Sequence, residues 1–415
     1  MSFTRLWESL LPIGRDPDTG GYRRYTWTEA ELACRSWFRA AAGERQLPVT
    51  ADHNGNLWAW WDPPDHTGPR TGAIVTGSHL DSVPDGGAFD GPLGVVSAFA
   101  AVDLLRARGQ VPVRPLAVAA FCEEEGARFG VACLGSRLLT GVVTPDAARA
   151  LRDGDGITLA QAMTVAGQDP ALLGPDDALL ASLAAFVELH VEQGRALAGL
   201  PDAAIGIAEG IWPHGRWRFE FTGRADHAGT ARLPDRADPM LPFATTVLAA
   251  RQAAEIFGTL ATFGKVTAEP GGVNAVSSRV RAWLDCRAPD ENALAQTVAR
   301  IQAAAEQAIR TPEPTDQPGV RLTVTAESAT PLVSFDPALR DRLAATLAQA
   351  GIDAPVLPTG AGHDAGVLAA RIPTAMLFVR NPTGVSHAPG ESADLADCER
   401  GVESLAAVLE DLACR

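Results

Sequence analysis

Residues 72–81 read GAIVTGSHLD, and this stretch decides the fold, because a short apolar run ends there in a histidine and an aspartate. A Gly-rich turn follows and leads into residues 91–108, where apolar residues recur at helical spacing. A second apolar run, RPLAVAAFCEEEG at 114–126, ends in three glutamates. Strand, helix and strand in this order predict an α/β fold with a parallel sheet, whose polar strand ends meet at one edge.

Two later segments extend this pattern. Residues 184–194 (AAFVELHVEQG) alternate, with apolar side chains on one side and Glu188 and His190 on the other, which predicts a strand with one dry and one polar face. PTAMLFVRN at 373–381 is typical of another core strand, and 393–413 of a closing helix. The α/β texture therefore returns near the end of the chain.

The pattern of predicted helices and strands changes in the middle of the chain, which indicates an inserted domain at 209–328. The first domain would then consist of two parts, 1–208 and 329–415. The segments of the inserted domain predict, in turn, a strand, a helix, two strands, a helix and a strand, which is the split βαβ pattern of a small sandwich. These segments are 215–223, 239–257, 259–267, 279–287, 290–309 and 319–327. The Pro-rich stretch TPEPTDQPG at 311–319 is expected to form a surface loop.

Composition excludes several classes of protein. With 415 residues, 46% hydrophobic and 20% charged, the chain has the make-up of a two-domain globular protein. Its net charge of −15 argues against a nucleic-acid partner. Six cysteines without a CxxC pair indicate reduced thiols. Since the chain shows neither a signal peptide nor a long apolar run, we expect a soluble cytoplasmic protein without a membrane partner.

Histidines mark the candidate chemistry. In SHLD, His79 and Asp81 share one face of a strand, so Asp81 can hold one ring N–H while the other nitrogen faces a metal ion; a plain ion pair is the alternative. Asp90, at the start of a helix, is either an N-cap or a metal ligand. Five of the eight histidines lie in such short polar clusters: His79, His190, His227, His363 and His387.

The run CEEEG at 122–126 adds acids. Adjacent carboxylates repel one another, and a divalent cation would compensate; a solvated strand end is the alternative. One glutamate can bind metal while its neighbour acts as general base. The candidates form a mixed nitrogen and oxygen set that suits Zn²⁺, Mn²⁺, Co²⁺ or Ni²⁺ rather than Ca²⁺. This set is His79, Asp90, Glu125, His190 and His387.

The inserted segment carries a second group of candidates: His227 in GRADHAGT, Asn274 in GGVNAVSS and Arg287 in LDCR. The planar guanidinium of Arg287 suits a carboxylate, and His227 can donate to a developing oxyanion. Taken alone, a turn asparagine and a surface ion pair are the commoner interpretations of Asn274 and Arg287. Nucleophilic-serine chemistry has less support, because the chain lacks a G-x-S-x-G motif.

Six motifs, in order over roughly residues 5–413, resemble the hydantoinase/carbamoylase branch of the M20 di-metal amidohydrolases. The resemblance implies an aminopeptidase-like catalytic domain, an inserted ferredoxin-like lid and dimerisation domain, and a homodimer. It also implies two divalent metal ions per subunit, Zn or Mn with Co or Ni possible, and hydrolysis of the ureido C–N bond of a small carboxylic acid. The motifs are GSHLDSVPDGGAFDGPLGV, EEEGARFG, ELHVEQG, DHAGT, GAGHDA and GVSHAPGE.

The same resemblance implies a metal centre in which Asp90 bridges two ions. His79 and His190 would hold the first ion with Asp90, and Glu125 and His387 would hold the second. A cis peptide bond after Asp90 is implied as well.

Further roles follow from the resemblance. Glu124 would be the general base, although the preceding Glu123 leaves the order of base and ligand open by one position. Asp81 would support His79, and His227 would reach the site of the partner subunit to stabilise the oxyanion. The residues implied in substrate binding are Gln193, Asn274, Arg287 and His363, with Asn274 and Arg287 at the substrate carboxylate.

The substrate stays open between two subgroups. TFGKV, GVNAV and TGAGHDA are similar to allantoate amidohydrolases, whereas FDGPLGV and EEGARFG are similar to the L-carbamoylases. GIWPHGRWRF at 210–219 fits neither pattern, and Thr230-Ala231-Arg232 replaces the usual Thr-Pro. Two other functions are alternatives: an aminoacylase or peptidase that uses the same metals on an acyl amide, and a metal-free binding module.

Overall fold

The computed structural model describes residues 2–310 and 319–415, and these form two compact units. The first unit comprises Met1–Gly210 and Ser334–Arg415, and the second comprises Ile211–Val333. The expected Pro-rich loop lies, apart from its last glycine, outside the described residues.

The predicted limits of the insert need a small correction. Position 209 falls inside the strand Ile205–Ile211, and position 328 falls inside the strand Arg321–Thr330. Both strands continue past the point where the sequence texture changes, because their ends are set by hydrogen bonding to neighbouring strands and not by composition.

The strands are numbered along the described chain. They are β1 (Val49–Ala51), β2 (Leu57–Trp61), β3 (Ala73–His79), β4 (Leu116–Phe121), β5 (Leu183–Val191), β6 (Ile205–Ile211), β7 (His214–Thr222), β8 (Asp226–His227), β9 (Leu260–Glu269), β10 (Ala275–Val276), β11 (Arg279–Arg287), β12 (Arg321–Thr330), β13 (Val333–Ser334), β14 (Val356–Thr359) and β15 (Thr374–Val379).

The helices are numbered in the same way. They are α1 (Phe3–Leu10), α2 (Glu29–Glu44), α3 (Pro92–Ala107), α4 (Leu134–Leu139), α5 (Pro145–Ala150), α6 (Leu159–Val165), α7 (Asp177–Ser182), α8 (Met240–Phe257), α9 (Glu291–Arg310), α10 (Pro337–Gln349), α11 (Asp364–Leu368) and α12 (Leu395–Ala413). Short 3₁₀ turns occur at Pro170–Leu172, Leu197–Gly199 and Leu233–Asp235.

The larger sheet is mixed, where the βαβ pattern predicted a parallel one. Within the described residues it has nine strands in the order β1-β2-β4-β3-β5-β15-β6-β13, with β14 paired to β6. β4, β3, β5 and β15 run parallel to one another, whereas β2 on one side and β6 on the other run antiparallel to their neighbours. The predicted βαβ unit thus forms the centre of the sheet, and antiparallel strands on both sides make it mixed.

The element β3-α3-β4 brings polar residues to the edge of this sheet. Gly91 (φ +83°) and Pro92 start α3 directly after Asp90, since a proline suits the first turn of a helix. α3 and α12 pack against each other over the sheet, and their apolar side chains form much of the core. β4 ends at Phe121, so the three glutamates lie in the turn beyond the strand and not on it.

β5 differs from the prediction in one respect, because its polar face is also buried. Glu188 and His190 are both 0% exposed, and so are the apolar residues between and beside them. β5 lies between β3 and β15 in the middle of the sheet, where a strand is covered on both faces. Apolar and polar side chains alternate along β5, but both faces of the strand are buried, so neither face is the solvent-exposed one.

The second unit contains a four-stranded antiparallel sheet in the order β12-β7-β11-β9. Its main elements follow as strand, helix, strand, strand, helix and strand, in the order that the sequence predicts. The apolar side chains of β7 and β11, such as Phe219, Phe221 and Leu284, pack with those of α8 and α9 in a separate core. The small β8–β10 pair extends this unit beyond one end of the sheet.

Two smaller observations concern the whole described chain. All six cysteines are free, and only Cys414 is not fully buried. Among the described residues, no helix has the length and apolar character needed to cross a membrane.

Gly77 in β3 provides a test of this fold. It has φ +140°, and a Cβ atom there would lie 2.0 Å from the carbonyl oxygen of Ala119 in β4. We expect Gly77→Ala to lower the free energy of unfolding by about 3 kcal/mol, because overpacking and backbone strain coincide. Gly43→Ala in α2 meets no neighbour within 4 Å and is the control; it is expected to stabilise by about 0.5–1 kcal/mol. Thermal unfolding of both variants checks this, and a wild-type midpoint for Gly77→Ala would contradict it.

Candidate active site

Polar side chains converge at the carboxyl-terminal edge of β3, β4 and β5 in the first unit. Asp90 lies at the centre of this group and is 6% exposed. Its Oδ1 atom lies 3.2 Å from Nε2 of His190 and 3.5 Å from Nε2 of His79. Its Oδ2 atom lies 3.4 Å from Nε2 of His387, which in turn lies 3.5 Å from Oε2 of Glu125. The two oxygens of one carboxylate thus face two separate groups of side chains.

Main-chain contacts fix how the buried imidazoles present their nitrogens. Nδ1 of His190 lies 2.9 Å from the carbonyl oxygen of Val191, and Nδ1 of His79 lies 3.2 Å from that of Asp81. A carbonyl only accepts, so both Nδ1 atoms carry a proton, and Nε2 is the ring nitrogen that each histidine directs toward Asp90. Nε2 of His79 is buried without a hydrogen-bond partner in the described protein.

Asp81 supports the site in more than one way. The sequence pattern placed its carboxylate on the ring of His79, and Oδ1 lies 3.5 Å from Nδ1 of that ring. The main-chain carbonyl of Asp81 is nearer, at 3.2 Å. The two carboxylate oxygens accept the N–H groups of Glu124 and Glu125, at 3.2 and 3.1 Å. Asp81 therefore anchors the turn after β4 to the end of β3.

The three adjacent glutamates point in different directions. Glu123 (φ +54°) turns away, and its Oε1 accepts the N–H groups of Arg128 and Phe129 at 3.0 and 2.8 Å. Oε2 of Glu124 lies 3.7 Å from Nε2 of His79, and Oε1 accepts a 3.2 Å hydrogen bond from the buried thiol of Cys133. Since Glu125 faces His387, the geometry favours the order of base and ligand that starts at Glu124.

Burial of so many acids in one place has an electrostatic consequence. Burial raises the pKa of Glu124 well above its usual range and raises the pKa of Glu125 to about 7, with a further contribution from the charge of Asp90. Burial also opposes ionisation of Asp90, but the neighbouring imidazoles, first that of His190 and then those of His387 and His79, take its pKa well below the usual range. Negative charge is therefore concentrated where it is poorly solvated, and a cation would relieve it.

The donor atoms fit a divalent metal. Two groups of possible ligands share Asp90, and the ligand atoms within each group lie within 4.8 Å of one another: His79, Asp90 and His190, and Asp90, Glu125 and His387. Imidazole nitrogens with carboxylate oxygens suit zinc, manganese, cobalt or nickel. The unpartnered Nε2 of buried His79 is a further sign of fit, because such an atom is costly without a partner.

A third group, Glu188, His190 and His363, is close enough to hold an ion but offers fewer open donors. The oxygens of Glu188 already accept from the hydroxyl of Ser78 at 2.6 Å and from the N–H of Ala365 at 3.2 Å. Glu188 is therefore a supporting residue beneath the imidazole of His190.

The remaining predicted residues of this unit lie next to the same centre. Nε2 of Gln193 donates to Oδ2 of Asp90 at 2.7 Å, and its Oε1 is buried without a partner. The ring of His363 packs edge to face on that of His190 at 4.5 Å, and its Nε2 is also buried without a partner. The cis peptide bond that the resemblance implied after Asp90 is not found in the structure. Among the described residues the cis bond is Glu269–Pro270, where the second residue is a proline.

The second unit carries the other three predicted residues, and it brings two of them together. His227 pairs with Ala275 in the β8–β10 ladder, and the carbonyl of Asn274 accepts the N–H of Ala228 at 2.9 Å. Arg287 lies at the opposite end of β11, where its Nε donates to Asp285 at 2.8 Å. β11 has nine residues, so about 26 Å of strand separates Arg287 from the end that leads to Asn274.

Sequence reasoning missed several supporting residues. The hydroxyl of Ser386 donates to Oδ2 of Asp90 at 3.2 Å, and the carboxylate of Glu391 accepts main-chain N–H groups of the Asp90 segment. Both residues stand in the quoted motif GVSHAPGE, but the motif by itself does not indicate what they do. The thiol of Cys133 had no such signal, because its contact with Glu124 depends on the turn after β4.

Known proteins are similar to this chain over most of its length. A profile of Peptidase family M20/M25/M40 matches residues 75–411. An N-carbamoyl-L-amino acid amidohydrolase of Geobacillus stearothermophilus is 36% identical over 408 residues, which cover 97% of this chain and 96% of that protein. An allantoate amidohydrolase of Escherichia coli (strain K12) is 30% identical over 419 residues, covering 99% and 98%.

The fold is also similar to that of a solved structure. The crystal structure of an amidase of the hydantoinase/carbamoylase family from Burkholderia vietnamiensis superposes with a TM-score of 0.86 at 28% identity, covering 100% of this chain and 98% of that one. The chain belongs to Peptidase family M20/M25/M40, and the family resemblance seen in its motifs is confirmed.

Metal binding should release protons from this site. The hydrogen bond to Asp90 raises the pKa of His387 to about 9, with a contribution from the charge of Glu125, so the metal-free imidazole is protonated at pH 8. Below about pH 9 a metal ion must therefore displace this proton from His387. The affinity of the site for the metal ion should rise with pH up to that value. Calorimetric titration of chelated protein with Zn²⁺ at pH 8, in two buffers of different ionisation enthalpy, measures the release.

The variant His387→Asn is the control, and it should release fewer protons than the wild type. Identical heats in both buffers for the wild-type protein would contradict the expectation.

Proposed function

We propose that this chain hydrolyses the ureido C–N bond of a small carboxylic acid and releases ammonia and carbon dioxide. The observation that carries the proposal is the shared carboxylate of Asp90, which faces two ligand groups while Glu124 stands beside them. The relatives named as N-carbamoyl-L-amino acid and allantoate amidohydrolases align over nearly the whole chain. Allantoate or an N-carbamoyl-L-amino acid is therefore the proposed substrate.

Two divalent metal ions per subunit belong to this proposal, Zn²⁺ or Mn²⁺, with Co²⁺ or Ni²⁺ as further candidates. His79, Asp90 and His190 would hold one ion, and Asp90, Glu125 and His387 would hold the other. Such ions, when bound, polarise a carbonyl group and make water a better nucleophile near neutral pH. Asp81 would keep His79 in the tautomer that presents Nε2.

Glu124 would act as general base and then as general acid. Its Oε1 is held by the thiol of Cys133, which leaves Oε2 directed toward His79 and the ligand groups. Burial raises the pKa of this carboxyl group, so it takes a proton more readily than an exposed glutamate would. It would accept the proton of the attacking water and pass it to the leaving nitrogen.

Substrate binding is proposed for four residues. Gln193 and His363 each have one buried polar atom without a hydrogen-bond partner, and a bound substrate could provide it. Asn274 and Arg287 would bind polar groups of the substrate, the guanidinium its carboxylate.

The distance between Arg287 and Asn274 supports a homodimer with a shared site. Some 26 Å of strand is longer than a small ureido acid, so one copy of the second unit does not bring both residues to one substrate molecule. His227 and Asn274 would then come from the partner subunit. Nδ1 of His227 accepts the N–H groups of Gly229 and Thr230, which leaves Nε2–H as a donor for an oxyanion.

The surface of the second unit also supports a homodimer. We infer that this unit is a ferredoxin-like lid and dimerisation domain. α8 exposes Leu241, Leu248 and Ile256 by 60%, 67% and 57%, and β9 is an edge strand that can pair with another chain. The free, buried cysteines support a reducing compartment, and we propose a cytoplasmic location.

One other function has a specific observation in its favour. The matching family profile is that of peptidases, so an acyl amide, as in an N-acyl amino acid or a dipeptide, is the second candidate substrate. Both reactions would use the same base and the same ligand groups. They differ in the product, because only the ureido group yields ammonia.

An ammonia-release screen with Mn²⁺ tests the proposed substrate class. Allantoate, several N-carbamoyl-L-amino acids and β-ureidopropionate are compared with N-acetyl amino acids and dipeptides. We expect ammonia from at least one ureido acid, whereas release of acetate or amino acid alone would favour the second function. Glu124→Gln should lower kcat by about 10²–10⁴-fold without loss of bound metal. Glu123→Gln is the matched control and should retain most of the activity, since Oε1 of Glu123 accepts the N–H groups of Arg128 and Phe129 and does not face the ligand groups.

Mixing inactive variants tests the shared site. His227→Ala and Glu124→Ala would each be nearly inactive alone, but every mixed dimer would contain one complete site. We therefore expect activity to return when the two variants are unfolded and refolded together. A mixture as inactive as both parents would argue that His227 acts within its own subunit or has no role in the reaction.

A further inference from the structure

Glu391 connects two segments of the candidate active site that are distant in the chain. We propose that Glu391 is a positioning residue, which holds the main chain at Asp90 and so sets where the shared carboxylate lies. The proposal rests on the proposed function in one respect, since its effect on metal binding requires that Asp90 and His387 are ligands.

The contact itself is specific. Oε2 of Glu391 accepts the N–H of Phe89 at 2.9 Å and the N–H of Asp90 at 3.1 Å, across about 300 residues of sequence. Glu391 is 5% exposed, so these are buried hydrogen bonds to a carboxylate, which is the stronger kind. They fix the main chain of the residue whose side chain faces both ligand groups.

The neighbourhood is shaped for this contact. A Cβ atom on Gly87 would lie 2.1 Å from Oε2 of Glu391, so only a glycine at this position lets the carboxylate approach. The ring of Phe89 stacks on that of Trp7 at 4.8 Å. The segment 87–90 is thus held through its N–H groups by Glu391 and through an aromatic side chain by α1.

Glu391 also belongs to the segment of His387. It lies four residues after that histidine, and its own N–H donates to the carbonyl of Ala388 at 3.1 Å in the intervening turn. His387 has φ +56°, an uncommon conformation for a non-glycine residue, which the surrounding structure must maintain. One side chain therefore couples the position of Asp90 to that of His387, whose facing atoms lie 3.4 Å apart.

If Glu391 only filled space, there would be no reason for a carboxylate at this position. Oε1 is buried without a hydrogen-bond partner among the described residues. Burying a carboxylate in this way is unfavourable, and an apolar residue of similar size would fill the same space without that cost. The acid is explained by the two N–H groups that it must hold.

The first experiment measures the contact without any metal. Hydrogen–deuterium exchange of chelated protein is followed in the peptide that contains Phe89 and Asp90, for wild type, Glu391→Ala and Glu391→Gln. We expect much faster exchange in Glu391→Ala and an intermediate rate in Glu391→Gln, which keeps the size and one acceptor oxygen. The control is Asp336→Ala, because Oδ1 of Asp336 likewise accepts a main-chain N–H, that of Leu339 at 2.7 Å, and its own N–H donates to Thr374 at the edge of the sheet opposite the site. Unchanged exchange in folded Glu391→Ala would overturn the proposal.

The second experiment measures the consequence. Competition with a coloured chelator gives the dissociation constant of Zn²⁺, and we expect it to rise about 10- to 100-fold in Glu391→Ala and less in Glu391→Gln. Asp336→Ala should lower the unfolding temperature and leave this constant unchanged. Equal weakening in both alanine variants would reduce Glu391 to a general stability effect. If wild-type protein bound no metal, the proposed function would fail, while the exchange experiment would still decide the role of Glu391.

Discussion

The carboxylate of Asp90 is the group on which the rest of the site depends. Its two oxygens face imidazoles from three different parts of the chain, and its main-chain N–H is held by Glu391, which lies in the same segment as His387. Buried acids surround it, and their raised pKa values express how poorly the protein alone solvates that charge. An arrangement of this kind is explained by cations, because a divalent ion offsets the repulsion that the fold has to tolerate.

The sheet and its turns together produce this convergence. Parallel strands bring the ends of β3 and β5 to one edge, with the turn after β4 between them. Four non-glycine residues of the site have left-handed backbone angles, and each one redirects the chain at the point where a side chain must turn toward the centre or away from it. They are Glu123, Cys133, Gln193 and His387. Such conformations cost energy and persist where surrounding contacts over-determine them.

The second unit contains all three of its predicted site residues, but it does not bring all three together. His227 and Asn274 share the β8–β10 extension, whereas Arg287 lies at the far end of β11. This separation follows from the length of β11, because a strand of nine residues spans about 26 Å. The same unit exposes apolar side chains on α8 and has β9 at the edge of its sheet, and the proposed homodimer would use these two features.

The sequence by itself determined the α/β texture, the order of elements in the insert and the family, because these depend on periodicity and on motifs of adjacent residues. It also supplied His79, Asp90 and the glutamate run. Tertiary structure alone decided that the sheet is mixed, that the polar face of β5 is buried, and which glutamate faces which histidine, because these depend on strand neighbours and turn angles. It likewise decided the contacts of Cys133 and Glu391, which join residues that the chain keeps far apart.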